Sequence, residues 1–198
     1  GYGLIIGPAN ANISVIGNLF AHLGSRMPLT NATRAMFVNN VVYNYSGLAT
    51  DLQSRGSVNY NSVVGNLYLR GPDYTGRWKP ILLRADSTLL PLGSKVYLSG
   101  NLADGMTSTD QWSIASAFGG TLNTLLYKTN TAPVWISGLT ARSTANNGVY
   151  SYVLANVGAG TPNIAPNPLI NRGTLRATAS QMRVVAGSDG TAAEVRAR

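Results

Sequence analysis

Short β-rich runs recur through the first half of this chain and share one form. Apolar and β-branched residues come first, then a small residue or Asn, then an Asn, and then further apolar residues. A strand–turn–strand unit that repeats with a period in the low twenties predicts a β-solenoid, in which successive coils stack on one another. The runs are ISVIGNLF (13–20), AMFVNNVVY (35–43), NSVVGNLY (61–68) and KVYLSGNL (95–102).

The aligned asparagines of these runs are Asn18, Asn40, Asn66 and Asn101, and we expect them at the turns of the coils. Asn tolerates the left-handed conformation that a sharp turn requires, and its side-chain amide can hydrogen-bond the same amide one coil further along. The alternative is an antiparallel sandwich in which Asn- and Gly-rich turns join hairpins. The spacing lengthens along the chain, which predicts an inserted loop, most clearly at GPDYTGRWKP (71–80).

The second half of the chain contains the best helix candidate, NNGVYSYVLANVGAG (146–160). Val149, Val153 and Val157 fall on one face of a helix, and Gly158 is a suitable residue to end it. The pattern therefore predicts a short helix over about 146–157.

The fold prediction that follows is all-β. We expect solenoid coils over residues 1–105, because the repeat fades beyond them. Residues 106–198 are then further coils, the short helix and a wrapping tail that belong to the same domain, since one domain is the natural expectation at this length.

The composition narrows the class of protein. Of 198 residues, 15 are Lys or Arg and 7 are Asp or Glu, giving a net charge of +8, and 44% are hydrophobic. So high an apolar fraction with so few charges excludes a disordered chain and a coiled coil. No apolar window is long enough to span a membrane, and the absence of Cys removes disulfides and zinc–thiolate sites. The cations are scattered singly, which argues against nucleic acid as the partner.

The acidic residues are too scattered to form a metal site locally. More than three positions separate every neighbouring pair, so the sequence contains no close-set carboxylate cage for calcium or magnesium. The single histidine, His22, excludes multi-histidine metal sites within one chain. The seven acids are Asp51, Asp73, Asp86, Asp104, Asp110, Asp189 and Glu194.

Segment 13–47 carries a set of motifs in a fixed order. Asn18-Leu19-Phe20 ends the first run, Arg26-Met27-Pro28 follows it, and Asn39-Asn40-Val41-Val42-Tyr43-Asn44 lies in the next run. In this order and at this spacing, the motifs resemble the pectate lyase family of parallel β-helix polysaccharide lyases. Segments that extend the resemblance over most of the chain are 58–76, 96–102, 149–160 and MRVV at 182–185.

The resemblance implies a right-handed parallel β-helix and matches the C-terminal half of such an enzyme. GYGLIIG (1–7) corresponds to the stretch just before the Asn-Leu-Phe coil. Family members carry their calcium-binding carboxylates and a substrate-binding Lys upstream of that coil. The expected cofactor is therefore calcium, with its ligands in an N-terminal half of the same protein, and the scarcity of acids in this chain agrees with that expectation.

The activity that the resemblance implies is β-elimination in pectate, a polygalacturonate, by a secreted enzyme. A base removes the proton at C5, next to the uronate carboxylate, and the 4-linked sugar leaves. Calcium that bridges protein and substrate carboxylates acidifies that proton. The Arg-x-Pro motif places the base at Arg26. Because arginine is almost always protonated in proteins, this role requires neighbouring cations and exclusion of water.

Five further residues are candidates for binding the acidic polysaccharide. Arg34 is a candidate clamp for a substrate carboxylate, and His22 resembles a histidine often seen at that place in related sequences. Arg55, Arg70 and Arg77 belong to a basic run that suits bidentate recognition of uronate carboxylates. The alternative for each residue is a solvated or hydrogen-bonded position at a coil edge.

For the chain as a whole, the alternative function is a non-catalytic β-helix module. Such a module would bind glycans or form a structural part of a surface or virion assembly, because this fold hosts many functions.

Overall fold

The structure, a computed structural model, describes residues 1–85, 88–145 and 148–156. In this part of the chain there is a 3₁₀ helix at Gln111–Ile114 and there are two further helices, α1 (Thr124–Tyr127) and α2 (Gly148–Asn156). The strands, in chain order, are β1 (Ile5–Ile6), β2 (Ile13–Ile16), β3 (Leu19–Ala21), β4 (Leu29–Thr30), β5 (Arg34–Val38), β6 (Val41–Tyr43), β7 (Thr50–Leu52), β8 (Tyr60–Val64), β9 (Leu67–Leu69), β10 (Ile81–Leu83), β11 (Lys95–Ser99), β12 (Leu102–Ala103) and β13 (Ala115–Ala117).

These strands build three parallel sheets. Sheet 1 has the order β1-β4-β7-β10-β13, sheet 2 the order β11-β8-β5-β2, and sheet 3 the order β12-β9-β6-β3. The chain visits sheets 1, 2 and 3 in turn, and we call one such passage a coil. Each strand pairs in parallel with the strand of the same sheet in the next coil. The all-β prediction is therefore confirmed, and the antiparallel sandwich is wrong for the described strands.

Sheet 1 is the side of the coil that the sequence pattern did not predict. Its strands are only two or three residues long, which is too short to show an alternation of apolar and polar positions. The alternation exists nevertheless. Leu52 packs in the core and Thr50 hydrogen-bonds the buried Tyr68, so Asp51 between them points to the outer side of the sheet.

The long spacing before Asn101 has two causes. Residues 70–80 link β9 to β10, so the insertion predicted at 71–80 is confirmed. A second lengthened connection, between β10 and β11, was not predicted from the sequence.

The aligned asparagines form a hydrogen-bonded ladder at the turn between sheets 2 and 3, as predicted. Asn18 Nδ2 donates to Asn40 Oδ1 at 3.1 Å, and Asn40 Nδ2 donates to Asn66 Oδ1 at 2.8 Å. Asn66 Nδ2 then donates to Asn101 Oδ1 at 3.0 Å. Each acceptor oxygen also receives the backbone N–H of the preceding asparagine. Gln111, which the sequence did not single out, ends the ladder by accepting from both nitrogens of Asn101.

The left-handed residue of each turn is the residue before the ladder asparagine, so the expectation that the ladder asparagine itself takes this conformation is wrong. The ladder asparagine must direct both its backbone N–H and its amide at the next coil. The reversal of the chain therefore falls to the residue before it, where glycine is favoured. These residues are Gly17, Asn39, Gly65 and Gly100, with φ values of 69, 57, 64 and 62°.

Apolar side chains from all three sheets fill the space that the coils enclose. Burial of this area is the main favourable contribution to folding. The central members of this core are Val15, Phe37, Val42, Leu52, Val63, Tyr68, Ile81, Leu83 and Val96.

The helix predicted over about 146–157 is present as α2 and covers the outer face of sheet 3. Val149 and Val153 are fully buried, in one cluster with Val41 and Tyr43 of sheet 3, so the predicted apolar face is confirmed for these two residues. The remaining predictions for the C-terminal region lie outside the described residues. They concern Val157, Gly158, the wrapping tail and MRVV at 182–185.

Asn39 ties the segment before α2 to the turn of the second coil. Its Nδ2 donates to the Thr140 carbonyl at 3.1 Å, and its Oδ1 accepts the Arg142 N–H at 2.8 Å. Asn39 is the one left-handed turn residue of the ladder that is not glycine, and these two bonds give a physical reason for that.

Replacing Asn39 by Gly is expected to detach this segment without straining the turn. Glycine keeps the left-handed backbone at no steric cost, while loss of the two hydrogen bonds lowers the free energy of unfolding by about 1 kcal/mol. Amide hydrogen exchange should show faster exchange at Arg142. Asn39→Ala is the control, because it loses the same bonds and adds strain. Unchanged exchange at Arg142 in the Gly variant would contradict this view of the segment.

Candidate functional site

Four of the six residues predicted to form the site lie on one corner of the coils. We call this the 3–1 corner; it comprises the loops from sheet 3 to sheet 1, residues 22–28, 44–49, 70–80 and 104–114. Hydrogen bonds stack these loops, because Ser46 Oγ donates to the Gly24 carbonyl and Thr75 N–H donates to the Ser46 carbonyl. The four residues on this corner are His22, Arg26, Arg70 and Arg77.

Arg26 stands in a restricted backbone conformation just before β4. Its φ is 65°, which is rare for a residue with a side chain, and its carbonyl accepts the Leu4 N–H at 2.8 Å. The half-buried guanidinium lies over the Tyr2 ring, with Cζ 4.0 Å from the ring centre. Among the described residues, no carboxylate forms an ion pair with Arg26. A residue held in a sparsely populated conformation is a reasonable candidate for function.

His22 lies in the same loop and contacts the next coil through Asn44. Asn44 Oδ1 accepts the Asp73 N–H at 2.9 Å, which fixes the orientation of the amide. Asn44 Nδ2 then lies 2.7 Å from Asp73 Oδ2 and 2.9 Å from His22 Nδ1. A side chain at Gly71 would collide with Asn44, so glycine is required there. This geometry makes His22 Nδ1 the acceptor, which places the proton of the neutral ring on Nε2.

Arg70 packs into the 3–1 corner and stiffens it. Its guanidinium lies against Gly105, where a Cβ would come within 2.7 Å of the guanidinium nitrogens, and its Cζ is 4.5 Å from the centre of the Tyr74 ring. The Arg70 N–H donates to Asp104 Oδ2 at 2.9 Å. The substrate-binding role of Arg70 stays a prediction.

Arg77 is an exposed cation of this corner. Its Cζ lies 5.4 Å from the centre of the Trp78 ring. Trp78 in turn covers Gly47 of the neighbouring loop, since a Cβ there would be 3.6 Å from the indole. Arg77 therefore stands on the outer surface of the stacked loops.

Arg34 and Arg55 are not brought to this corner. Both lie on the opposite side of the sheet 1 strands, where the chain passes from sheet 1 to sheet 2. Arg34 Nη2 donates to the Pro133 carbonyl at 2.7 Å and thereby binds the segment around Pro133. Arg55 is exposed in a left-handed turn with φ 55°. The structure separates these two residues from Arg26, and their binding role stays a prediction.

Asp51 and Arg84 form a buried ion pair on the outer side of sheet 1. Arg84 Nη2 lies 2.8 Å from Asp51 Oδ2, and Arg84 Nε donates to Asp51 Oδ1 at 3.0 Å. Asp51 is almost fully buried. The sequence alone does not reveal this pair, because the two residues lie on different coils, 33 positions apart.

Two buried tyrosine phenols near this corner are expected to make the protein less stable at alkaline pH. Burial raises the pKa of Tyr68, while its hydrogen bond with Thr50 acts in the opposite direction. Burial raises the pKa of Tyr45 as well; Tyr74 adds to the rise and Arg70 opposes it. Above the ordinary phenol pKa of 10.0 the unfolded chain loses protons that the folded chain keeps.

The free energy of unfolding is therefore expected to fall as the pH rises above about 10. Tyr68→Phe should make this fall less steep, because one of the two phenols is gone, and Tyr2→Phe, at an exposed ring, is the control. Denaturant unfolding measured between about pH 8 and pH 11 tests this. An identical pH dependence in the Tyr68→Phe protein would contradict the expectation.

The described residues do not form a metal site. Within residues 1–85, 88–145 and 148–156, no three His, Asp or Glu side chains lie close enough together to hold a metal ion. In the same residues no helix has the length and apolar character that crossing a bilayer requires.

Comparisons of the chain with protein-family models, with curated proteins and with solved structures found no match.

Proposed function

We propose that this chain is part of a secreted polysaccharide lyase with a right-handed parallel β-helix, which cleaves pectate-like polyuronides by β-elimination. The observation that carries the proposal is Arg26, the Arg of the Arg-Met-Pro motif. It stands on the 3–1 corner in a left-handed conformation, and no described carboxylate pairs with it.

The arrangement of the coils supports this proposal. Three parallel sheets that the chain visits in turn, with an asparagine ladder at one turn, agree with a parallel β-helix. The motifs that resemble the pectate lyase family lie next to the ends of strands. Asn18 is the first residue of the ladder, Arg26 precedes a strand of sheet 1, and Asn44 follows a strand of sheet 3.

The proposed reaction needs a base, and Arg26 is the residue that we assign to it. The base takes the proton from C5 of a uronate, the electron pair of that bond forms the C4–C5 double bond, and the bond from C4 to the glycosidic oxygen breaks. The leaving oxygen takes a proton from water. Arg26 acts as a base only when its guanidinium gives up a proton, which neighbouring cations and a site closed to water favour.

The same corner also offers an exposed cation to the substrate. Arg77 lies two loops further along the stack, at about 10 Å for two strand spacings, and its exposed guanidinium suits a substrate carboxylate. A polymer with one carboxylate per sugar presents a row of charges, so cations repeated along a stack of coils match it in sign and in direction.

Calcium does not fit the described residues, because they contain no group of acidic side chains that could hold an ion. Under this proposal the calcium ligands belong to further coils that pack on the first coil. Exposed apolar residues there offer a surface for such packing, namely Tyr2, Leu4, Ile5 and Ile16.

The assay that tests the proposal uses the full-length polypeptide with polygalacturonate and calcium. We expect a rise in ultraviolet absorbance from the unsaturated product, and its loss in Arg26→Ala and on chelation of calcium. Full activity in Arg26→Ala would reject Arg26 as the base. A polypeptide that gives no unsaturated product at all would reject the lyase.

A non-catalytic module that binds acidic glycans is the second candidate function. The observation that favours it is the lack of a metal-binding group among the described residues. Retention of the protein on immobilised polygalacturonate, without any unsaturated product, would select this function over the lyase.

A further inference from the structure

Two stacked aromatic rings with an arginine at each end lie across the outer side of sheet 1, beyond the loop of Arg26. The Trp78 and Phe118 rings stack with their centres 5.7 Å apart and their planes 25° apart. Arg77 lies over Trp78 at 5.4 Å, and Arg84 lies over Phe118 at 4.3 Å. Each ring therefore contacts one guanidinium and the other ring. We call these four residues the aromatic–arginine stack.

The ion pair with Asp51 fixes one end of this stack. Arg84 binds both carboxylate oxygens of Asp51 through Nε and Nη2, which holds its plane in one orientation. Asp51 is anchored in β7 and almost fully buried. Phe118 thus stacks on a guanidinium that cannot turn away, and the stack is preorganised.

The other end of the stack is open to solvent. Phe118 is 50% exposed and Arg77 is exposed. Among the described residues, no carboxylate forms an ion pair with Arg77. A guanidinium that stacks on a ring keeps its N–H groups in its own plane, where they can bind a carboxylate with two hydrogen bonds. The exposed Phe118 ring lies beyond Trp78 in the stack and offers an apolar surface to the C–H groups of a sugar.

We propose that the aromatic–arginine stack is a binding subsite for one acidic sugar of a polyuronide. The carboxylate binds Arg77, and the sugar ring packs against the exposed part of Phe118. Only two guanidiniums take part, and Arg84 is neutralised by Asp51. This low net charge suits a sugar with one carboxylate better than a nucleic acid strand, which needs several cations for its phosphates.

The subsite lies further along the stack of coils than Arg26, with Arg77 on the same 3–1 corner and Phe118 at the opposite end of the sheet 1 strands. The register of sheet 1 aligns Leu29, Asp51, Leu82 and Ser116 in adjacent strands. Arg26 precedes the first of these residues and Phe118 follows the last, so about 14 Å along the stack, three strand spacings, separates them. This part of the inference rests on the proposed function, because a polyuronide that runs across the strands would contact both places.

The experiment measures binding of hexagalacturonate by calorimetry in the full-length Arg26→Ala protein, so that cleavage does not interfere. Adding Phe118→Ala is expected to raise the dissociation constant about fivefold, and adding Arg77→Gln should do the same by removing the charge. The matched controls are Leu125→Ala, at an exposed apolar residue, and Lys128→Gln, at an exposed cation, and both should leave the dissociation constant unchanged.

The outcomes separate the subsite from the lyase. Unchanged binding in both the Phe118→Ala and the Arg77→Gln protein would overturn the subsite, even if the wild type cleaves polygalacturonate. Equally tight binding of a neutral hexasaccharide or of single-stranded DNA would overturn it too. Binding that depends on Phe118 and Arg77, in a wild type that forms no unsaturated product, would uphold the subsite and reject the lyase.

Discussion

Replacing Asn66 with Ala is expected to lower the free energy of unfolding by about 3–5 kcal/mol. Asn66 is buried in the middle of the asparagine ladder. Its Oδ1 accepts from the backbone N–H and the Nδ2 of Asn40, and its Nδ2 donates to the Phe37 carbonyl at 2.9 Å and to Asn101 Oδ1 at 3.0 Å. Alanine removes all four hydrogen bonds, each worth about 1 kcal/mol, although Asn40 Nδ2 keeps the Val15 carbonyl and Asn101 Oδ1 keeps the backbone N–H of residue 66.

Asn18→Ala is the matched control for this prediction. Asn18 is exposed at the end of the ladder, so water can replace its amide. We expect a loss of about 1 kcal/mol or less. Equilibrium unfolding in denaturant measures the free energy of unfolding of both variants. The dependence of this free energy on denaturant concentration should be the same in both, which verifies that unfolding exposes the same area. Equal losses at the two positions would contradict a cooperative ladder across the coils.

Replacing Arg26 with Gly is expected to separate stability from activity. Arg26 has a φ of 65°, a conformation that costs roughly 1–2 kcal/mol for a residue with a side chain and little for glycine. The free energy of unfolding should therefore stay the same or rise, even though the contact with Tyr2 is lost. Formation of unsaturated product from polygalacturonate should fall about a thousandfold, because the base is gone.

The control for Arg26→Gly is Ala9→Gly. Ala9 is exposed and also left-handed, with a φ of 63°, so glycine relieves a similar strain there. The Ala9→Gly protein should keep its activity. A large loss of stability in Arg26→Gly would show that Arg26 holds the loop together. Retained activity in that protein would refute its role as the base.

The repeating part of the fold could be predicted because one residue type performs one task in each coil. Asn18, Asn40, Asn66 and Asn101 recur next to short apolar runs, and the ladder that they form is present. The role of Gln111 could not be predicted, because it lies 10 positions after Asn101 and only the folding of the last coil brings it to the ladder. The short strands of sheet 1 escaped detection because they are too brief to show a period.

Less of the candidate site could be predicted than of the fold. The Arg-x-Pro motif indicates Arg26, and Arg34 and Arg55 are candidates because of their charge, but sheet 1 separates these two from Arg26. The contact of Trp78 with Phe118 joins residues 40 positions apart on different coils, and no local pattern marks it. Local motifs indicate which loop carries a residue. Which side chains of different coils come into contact depends on the lengths of the inserted loops, and a single sequence does not reveal these contacts.

The most direct test of the lyase is the mass of the products that the full-length protein forms from polygalacturonate. The proposal predicts oligosaccharides with an unsaturated end, each lighter by one water than the product of hydrolysis, and their loss in Arg26→Ala. Products with the mass expected for hydrolysis, or unsaturated products formed equally well by Arg26→Ala, would contradict it.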